Sequence, residues 1–247
     1  MSQNYSRADM FMDFPEIILL AGGLGTRLRD AVPDLPKAMA PVNNKPFLEY
    51  QLDFINKFGP RKVILSTGYL SKSIENYFGT RYKNLDLIYS FENEPLGTGG
   101  AIKLAFSSVS SPHALIMNAD TMFRINLDKF FQSHIENLAN VSIALRHVDD
   151  ISRFGAVEIN EESEIVAFRE KSGIKTSGFI NGGVYLIRTR FFKGLNLPVK
   201  FSVENEMFAD FKVHTKYFGV AFNDYFLDIG IPEDYHRAQS EFNEFKD

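Results

Sequence analysis

A chain of 247 residues, 45% of them hydrophobic, with 24 Phe and no Trp, has length for one large α/β domain and is neither disordered nor fibrous. The formal net charge of −4 argues against a nucleic-acid binder built on a basic face, although local cations can still hold small anions. Without cysteine, disulfides, thiolate nucleophiles and thiolate metal sites are excluded.

Residues 1–13 are polar, with neither the apolar stretch nor the small-residue cleavage site of a leader, so a flexible extension is expected before a single domain over 14–247. No apolar run approaches the roughly 18 residues of a membrane span. A soluble, cytoplasmic protein is expected, with no membrane and no nucleic acid among its partners.

Residues 17–20, Ile-Ile-Leu-Leu, suit an interior parallel strand buried on both faces. Leu20 and Ala21 then lead into a turn containing Gly22, Gly23, Gly25, Thr26 and Arg27. Glycines let backbone N–H groups approach an anion closely, and Arg27 brings a fixed charge for phosphate oxygens. A plain strand-to-helix turn fits the same residues. The P-loop ending Gly-Lys-Ser/Thr is missing, and the third glycine of a dinucleotide fingerprint is replaced by Leu28, so neither familiar phosphate motif is satisfied.

Pro33 and Pro36 keep 30–41 irregular and place Lys37 on a loop, as a second phosphate-seeking cation or a solvated surface lysine. Pro46 at a first helical position, with Leu48, Leu52 and Ile55 at helical spacing, predicts an amphipathic helix ended by Gly59-Pro60. Residues 62–67 read as a second strand, Ser71 as the cap of a short helix ending near Gly79, and 85–90 as a third strand. The alternation predicts a parallel sheet with helices on both faces, with ligands beyond the carboxyl ends of the strands.

The loop Glu92 to Ala101 follows a strand and opens a helix at that rim. Gly97, Gly99 and Gly100 suit main-chain contacts to a base or ribose, and Glu92 or Glu94 suits an exocyclic amine; a glycine-lined helix start is the plainer reading. Residues 113–120 form a fourth strand ending in Asp120, a position suited to a hard cation such as Mg²⁺ or to a turn. A helix is expected over 126–138.

From Val141 the pattern becomes strands at 141–148, 155–160, 164–170 and 179–187, an antiparallel lobe or sheet extension. Glu170, Lys171 and Asn181 there offer an acceptor, a cation and an amide to a phosphorylated, hydroxyl-rich molecule, or simply end exposed strands. Gly182-Gly183 fits a β-bulge. A helix over 201–212 and a strand over 217–222 precede Asp228, a carboxylate in an apolar strand that needs a partner such as a metal, and Pro232 suits the first turn of a closing helix. The five histidines lack zinc-ligand spacing, and no Gly-x-Ser-x-Gly elbow exists. Phe208, Phe211, Phe242 and Phe245 could serve core or interface, which leaves a homo-oligomer open.

Leu20-Ala21-Gly22-Gly23-Leu24-Gly25-Thr26-Arg27-Leu28, followed by Pro36-Lys37-Ala38-Met39, resembles the signature of the sugar-1-phosphate nucleotidyltransferases, and the later motifs keep that family's order from Ile17 to Tyr235. The resemblance implies an α/β fold: a Rossmann-like three-layer αβα domain with a mixed, mainly parallel sheet and a small antiparallel sugar-binding extension. It implies NTP and sugar 1-phosphate as substrates and Mg²⁺ as cofactor. Arg27 and Lys37 are the implied catalytic cations. Leu20, Ala21, Gly22, Gly23, Gly25, Thr26, Arg27, Glu92, Glu94, Gly97, Thr98 and Asn118 would bind nucleotide, and Gly155, Glu170, Lys171 and Asn181 the sugar phosphate. Asp120 and Asp228 would hold the metal. Ser172 departs from the family's frequent proline. The resemblance is greatest to short guanylyltransferases that act on D-glycero-α-D-manno-heptose 1-phosphate in surface-polysaccharide synthesis; hexose-1-phosphate guanylyl-, thymidylyl- and uridylyltransferases share the frame. A nucleotide-sugar sensor without turnover is the competing class.

Overall fold

Ile17, Ile18 and Leu19 have no solvent exposure, and their side chains alternate between two hydrophobic clusters on opposite faces of one sheet. Burying each is worth about 1.5–3 kcal/mol, so Glu16–Leu20 (β1) has a strong claim to the sheet centre. The computed structural model describes residues 13–23, 28, 32, 35–68, 70–152, 154–169, 173, 175–208 and 217–244. After β1 come a 3₁₀ turn Lys37–Met39, the small hairpin β2 (Pro41–Val42) and β3 (Lys45–Pro46), α1 (Phe47–Asn56), β4 (Lys62–Thr67), α2 (Ser71–Phe78), β5 (Arg81–Tyr82), β6 (Leu85–Phe91) and α3 (Gly97–Ala105). Then follow β7 (His113–Asn118), β8 (Thr121–Phe123), α4 (Leu127–Glu136), β9 (Val141–Val148), β10 (Ala156–Ile159), β11 (Ile165–Arg169), β12 (Gly178–Arg188) and α5 (Thr189–Lys193). A π-type helical turn Val203–Phe208, β13 (Tyr217–Phe222), β14 (Phe226–Asp228) and α6 (Pro232–Glu241) complete the order.

β1 pairs in parallel with β4 on one side and β7 on the other, and β4 pairs in parallel with β6. Four strands therefore end at one rim, and the chain reverses its direction of travel across the sheet at β1, the position where open α/β sheets bind ligands. Residues of α1, α2, α4 and α6 pack into one cluster, and those of α3, α5 and the Val203–Phe208 turn into the other, giving three layers.

The stretch expected to form an antiparallel lobe or extension continues this same sheet. β12 runs antiparallel to β7 over Val184–Arg188 and to β10 nearer its start, while β9 lies along its other edge and pairs in parallel with β13. The register shift between Asn181 and Tyr185 is the β-bulge that Gly182-Gly183 suggests, with Gly183 at φ 72°. An added Cβ at Gly182 would lie 2.4 Å from the Phe123 ring.

Several local expectations are corrected. Pro46 precedes α1 instead of opening it, and Leu70 in the left-handed region (φ 63°) precedes α2, with Ser71 already its first helical residue. β7 stops at Asn118, so Asp120 sits in the turn beyond the strand. Asn126 caps α4 by accepting from the Lys129 N–H at 2.9 Å. Of the expected helix over 201–212, the described part is Val203–Phe208. Phe208 and Phe242 are core residues with 0% and 2% exposure, while Phe211 and Phe245 lie outside the described residues.

Two of the scattered histidines meet in the core. His113 Nδ1 and His134 Nε2 are 3.0 Å apart, and His134 Nδ1 is 2.8 Å from Ser142 Oγ. Burial, with Arg188 adding repulsion, holds His113 down at about 4; burial, then His113 and Arg188, holds His134 at about 3. The unfolded chain takes up these protons near pH 6.5, so the stability is intact above that value and is lost as pH falls toward 4, at about 1.4 kcal/mol per pH unit and group. The urea midpoint is expected to drop between pH 7.5 and 5, and His134→Asn to flatten that drop; an equally steep drop in the variant contradicts this.

Candidate active site

The parallel strand ends open onto a cleft of about 820 Å³. β1 and the turn after it contribute Leu20, Gly22 and Gly23; β4 and the residue beyond it contribute Ser66 and Gly68; the segment after β6 contributes Glu92, Glu94, Gly97 and Thr98; β7 and the turn after it contribute Asn118 and Asp120. Ala21 carries the turn onward, its N–H donating to the Ser66 carbonyl at 2.8 Å.

At one end of the cleft, Glu92 Oε2 accepts the Leu96 N–H at 3.1 Å. A Cβ on Gly22 would lie 2.7 Å from Glu92 Oε1, so the glycine leaves room for that carboxylate. Burial pushes the Glu92 carboxyl above the usual carboxylate range, and the Leu96 N–H opposes the shift.

The glycines opening α3 divide their duties. Gly97, at φ 75°, lines the cleft. Gly99 and Gly100, expected to offer main-chain contacts to a base or ribose, instead donate their N–H groups to the Phe201 carbonyl at 3.0 and 3.3 Å. A Cβ on Gly99 would lie 2.1 Å from the Phe201 ring, so this glycine serves packing. Thr98 lines the cleft, donates to Glu204 Oε2 at 2.7 Å and accepts the Val203 N–H at 3.0 Å.

At the other end, Asp120 and Asp228 come together because β8 and β14 pair with Asp228 opposite Thr121. Lys37 Nζ reaches both, 2.6 Å from Asp120 Oδ2 and 3.4 Å from Asp228 Oδ1, with its side chain only 11% exposed. Thr121 Oγ1 donates to Asp120 Oδ1 at 3.1 Å, and the Gly230 N–H to Asp228 Oδ1 at 2.7 Å. Burial first, then the charge of Asp120, raises the Asp228 carboxyl above its ordinary range, against the pull of Lys37 and the Gly230 N–H. Lys37 is thus an internal ion-pair partner of the expected metal carboxylates, and not the solvated lysine that its loop also allowed.

Two carboxylates converging on one ammonium fit a Mg²⁺ ion, which takes one or two protein carboxylates and completes its shell with water and substrate phosphates. Among the described residues no group of three or more His, Asp or Glu side chains gathers, here or elsewhere, so the protein's share of the shell is this pair. Asp120 and Asp228 would hold the ion.

Gly155 and Asn181 do not line the cleft. A Cβ on Gly155 would lie 2.9 Å from the Arg169 carbonyl oxygen. Asn181 Nδ2 donates to Tyr185 Oη at 2.9 Å and its Oδ1 accepts the Gly183 N–H at 2.9 Å. The bulge packs Gly183 against Asn118, which lines the cleft, and a Cβ on Gly183 would sit 2.7 Å from Asn118 Nδ2. Gly25, Thr26, Arg27, Glu170 and Lys171 lie outside the described residues.

Three contributors escaped the sequence reading. Gly68 lines the cleft after β4, and Gly230 supports Asp228. Gln51, fully buried on α1, donates through Nε2 to the Asn118 carbonyl at 3.0 Å and to the Thr121 carbonyl, bracing the turn that carries Asp120. Its signal was available: a polar residue at position 51 within the apolar helical series 48, 52 and 55.

A model of the nucleotidyl transferase family matches residues 16–244. The chain is 46% identical over 230 residues to a D-glycero-alpha-D-manno-heptose 1-phosphate guanylyltransferase of Aneurinibacillus thermoaerophilus, covering 93% of this chain and 99% of the relative. It is 41% identical over 221 residues to the enzyme of that name from Campylobacter jejuni, covering 90% and 97%. HddC from Yersinia pseudotuberculosis, solved in complex with GMP-PN, superposes with a TM-score of 0.82 at 33% identity, covering 92% of this chain and 99% of that one.

Gln51→Leu removes the donor and leaves two carbonyls short of a partner in the interior. Urea unfolding is expected to show a loss of about 1–3 kcal/mol; unchanged stability would remove Gln51 as the brace.

Proposed function

The chain belongs to the nucleotidyl transferase family, and from that premise we propose that it transfers the guanylyl group of GTP to a sugar 1-phosphate, D-glycero-α-D-manno-heptose 1-phosphate, releasing pyrophosphate and GDP-heptose. The observation that carries the reading is the convergence of Asp120 and Asp228 on one cation at the rim of a nucleotide-sized cleft. The high identity to two heptose guanylyltransferases along nearly their whole length supports the choice of sugar.

A sugar-1-phosphate oxygen attacks the α-phosphorus of GTP in line; the new P–O bond forms as the bond to the β-phosphate oxygen breaks and pyrophosphate leaves with that electron pair. The attacking phosphate is already anionic near neutral pH, so no general base is required. Catalysis reduces to positioning and charge neutralisation. Asp120 and Asp228 would hold Mg²⁺, which would supply neutralisation of phosphate charge. Lys37 and Arg27 offset charge on the α-phosphoryl group and on the leaving pyrophosphate, and loss of one such contact costs about 3 kcal/mol, on the order of a hundredfold in rate. Leu20, Ala21, Gly22, Gly23, Gly25 and Thr26 with Gly97, Thr98 and Asn118 cradle the nucleotide, while Glu170 and Lys171, with Gly155 and Asn181 that lie outside the nucleotide cleft, receive the sugar phosphate. The product feeds surface-polysaccharide synthesis from the cytoplasm.

Glu92 supports guanine on chemical grounds. An ionised carboxylate only accepts hydrogen bonds, and guanine presents N1–H and an exocyclic amine side by side. Uracil and thymine present one N3–H between two carbonyls, which a carboxylate repels. Glu94, also at the cleft, offers a second acceptor.

Pyrophosphate release measured for GTP, UTP, dTTP and ATP against heptose, mannose and glucose 1-phosphates tests the assignment. GTP with the heptose is expected to give the highest kcat/KM; release with no pair would overturn it in favour of a nucleotide-sugar binder. Glu92→Gln, which restores a donor, is expected to shift the GTP-to-UTP ratio of kcat/KM toward UTP by about tenfold or more, and an unmoved ratio removes Glu92 from base recognition.

A further inference from the structure

Lys37 is tethered by backbone on both sides. The Met39 N–H donates to the Pro36 carbonyl at 2.7 Å and the Ala40 N–H to the Lys37 carbonyl at 3.0 Å, so only its four-carbon stem is free to move. Its ammonium lies at the point on which Asp120 Oδ2 and Asp228 Oδ1 converge, 2.6 and 3.4 Å away. A divalent ion bound to those oxygens would need ligand distances of about 2.0–2.1 Å, so ion and ammonium exclude each other there. Gly230 closes one side of the site at close range: a Cβ there would lie 3.0 Å from Lys37 Nζ and 2.8 Å from Asp228 Oδ1. The open side is the cleft, which Asp120 lines.

We propose that Lys37 is a displaceable counter-cation of the metal site, which keeps Asp120 and Asp228 neutralised until nucleotide phosphates in the cleft draw it away and admit the ion. This rests on the reading of those two aspartates as metal ligands. Two like charges held half-buried are stabilised by a neighbouring cation, and Lys37 supplies it in the free protein. A triphosphate offers the ammonium other oxygens. Nucleotide therefore raises the affinity for metal, and metal raises the affinity for nucleotide by the same factor.

Mn²⁺ titrated into the nucleotide-free protein, with unbound Mn²⁺ followed by its electron paramagnetic resonance, tests this without turnover. Wild type and Lys37→Arg, which keeps the charge, are expected to bind weakly. Lys37→Met and Lys37→Gln, each checked for folding by circular dichroism, are expected to bind about tenfold or more tightly, and Asp228→Asn added to either is expected to abolish the gain. Equal affinity in wild type and both neutral variants overturns the proposal, as does a gain that survives Asp228→Asn. Because no substrate is present, failure of the wild type to release pyrophosphate would sink the proposed reaction and leave this result standing.

Discussion

Asp120 and Asp228 are brought within reach of one ammonium by the pairing of β8, from the middle of the chain, with β14 near its end, and that juxtaposition of like charges is the constraint around which the site is built. Burial, and then the charge of Asp120, push Asp228 toward its neutral form. Lys37, the Gly230 N–H and the Thr121 hydroxyl oppose the cost, and the β8–β14 pairing with the Gln51 brace keeps the carboxylates from separating. A charge arrangement that is stabilised by a cation is well suited to phosphate chemistry, in which cations are exchanged as substrates enter and products leave.

The second constraint is β1. Buried on both faces and paired in parallel on both edges, it sets several strand ends at one level and places the reversal of strand order beside them. Close backbone approach at Gly22 leaves space for Glu92. The 199–201 segment, by contrast, packs against the start of α3 and takes up the Gly99 and Gly100 amides, leaving Gly97, Thr98 and the loop before them to face the cleft. The bulge in β12 carries Gly183 against Asn118, so the antiparallel half of the sheet abuts a residue that lines the cleft.

Strand signals with uninterrupted apolar or alternating character were legible: residues 62–67, 141–148 and 217–222 carry the same limits in sequence and structure. The need of Asp228 for a partner could also be read, because a carboxylate in an apolar strand is conspicuous. Its partner in the free protein could not, since only the fold brings Lys37 across 191 positions. Leu70 was missed because a left-handed apolar residue before a helix goes against local propensity, and tertiary packing overrides it. Gly99 and Gly100 misled for the opposite reason: glycine marks close approach, but the sequence does not say whether ligand or Phe201 approaches. Gln51 announced itself as polar on an apolar face, a sign worth weighing whenever a helix packs beneath strand ends.

The central claim is that the carboxylate pair marks the cation site of a two-substrate cleft. A crystal structure of the protein with GDP-D-glycero-α-D-manno-heptose and Mg²⁺ tests it most directly. The account predicts Mg²⁺ on Asp120 and Asp228, guanine against Glu92, the heptose beside Asn181, and Lys37 Nζ on phosphate oxygens. Nucleotide bound away from the rim of β1, or Mg²⁺ on other residues while Lys37 stays between the aspartates, would contradict it.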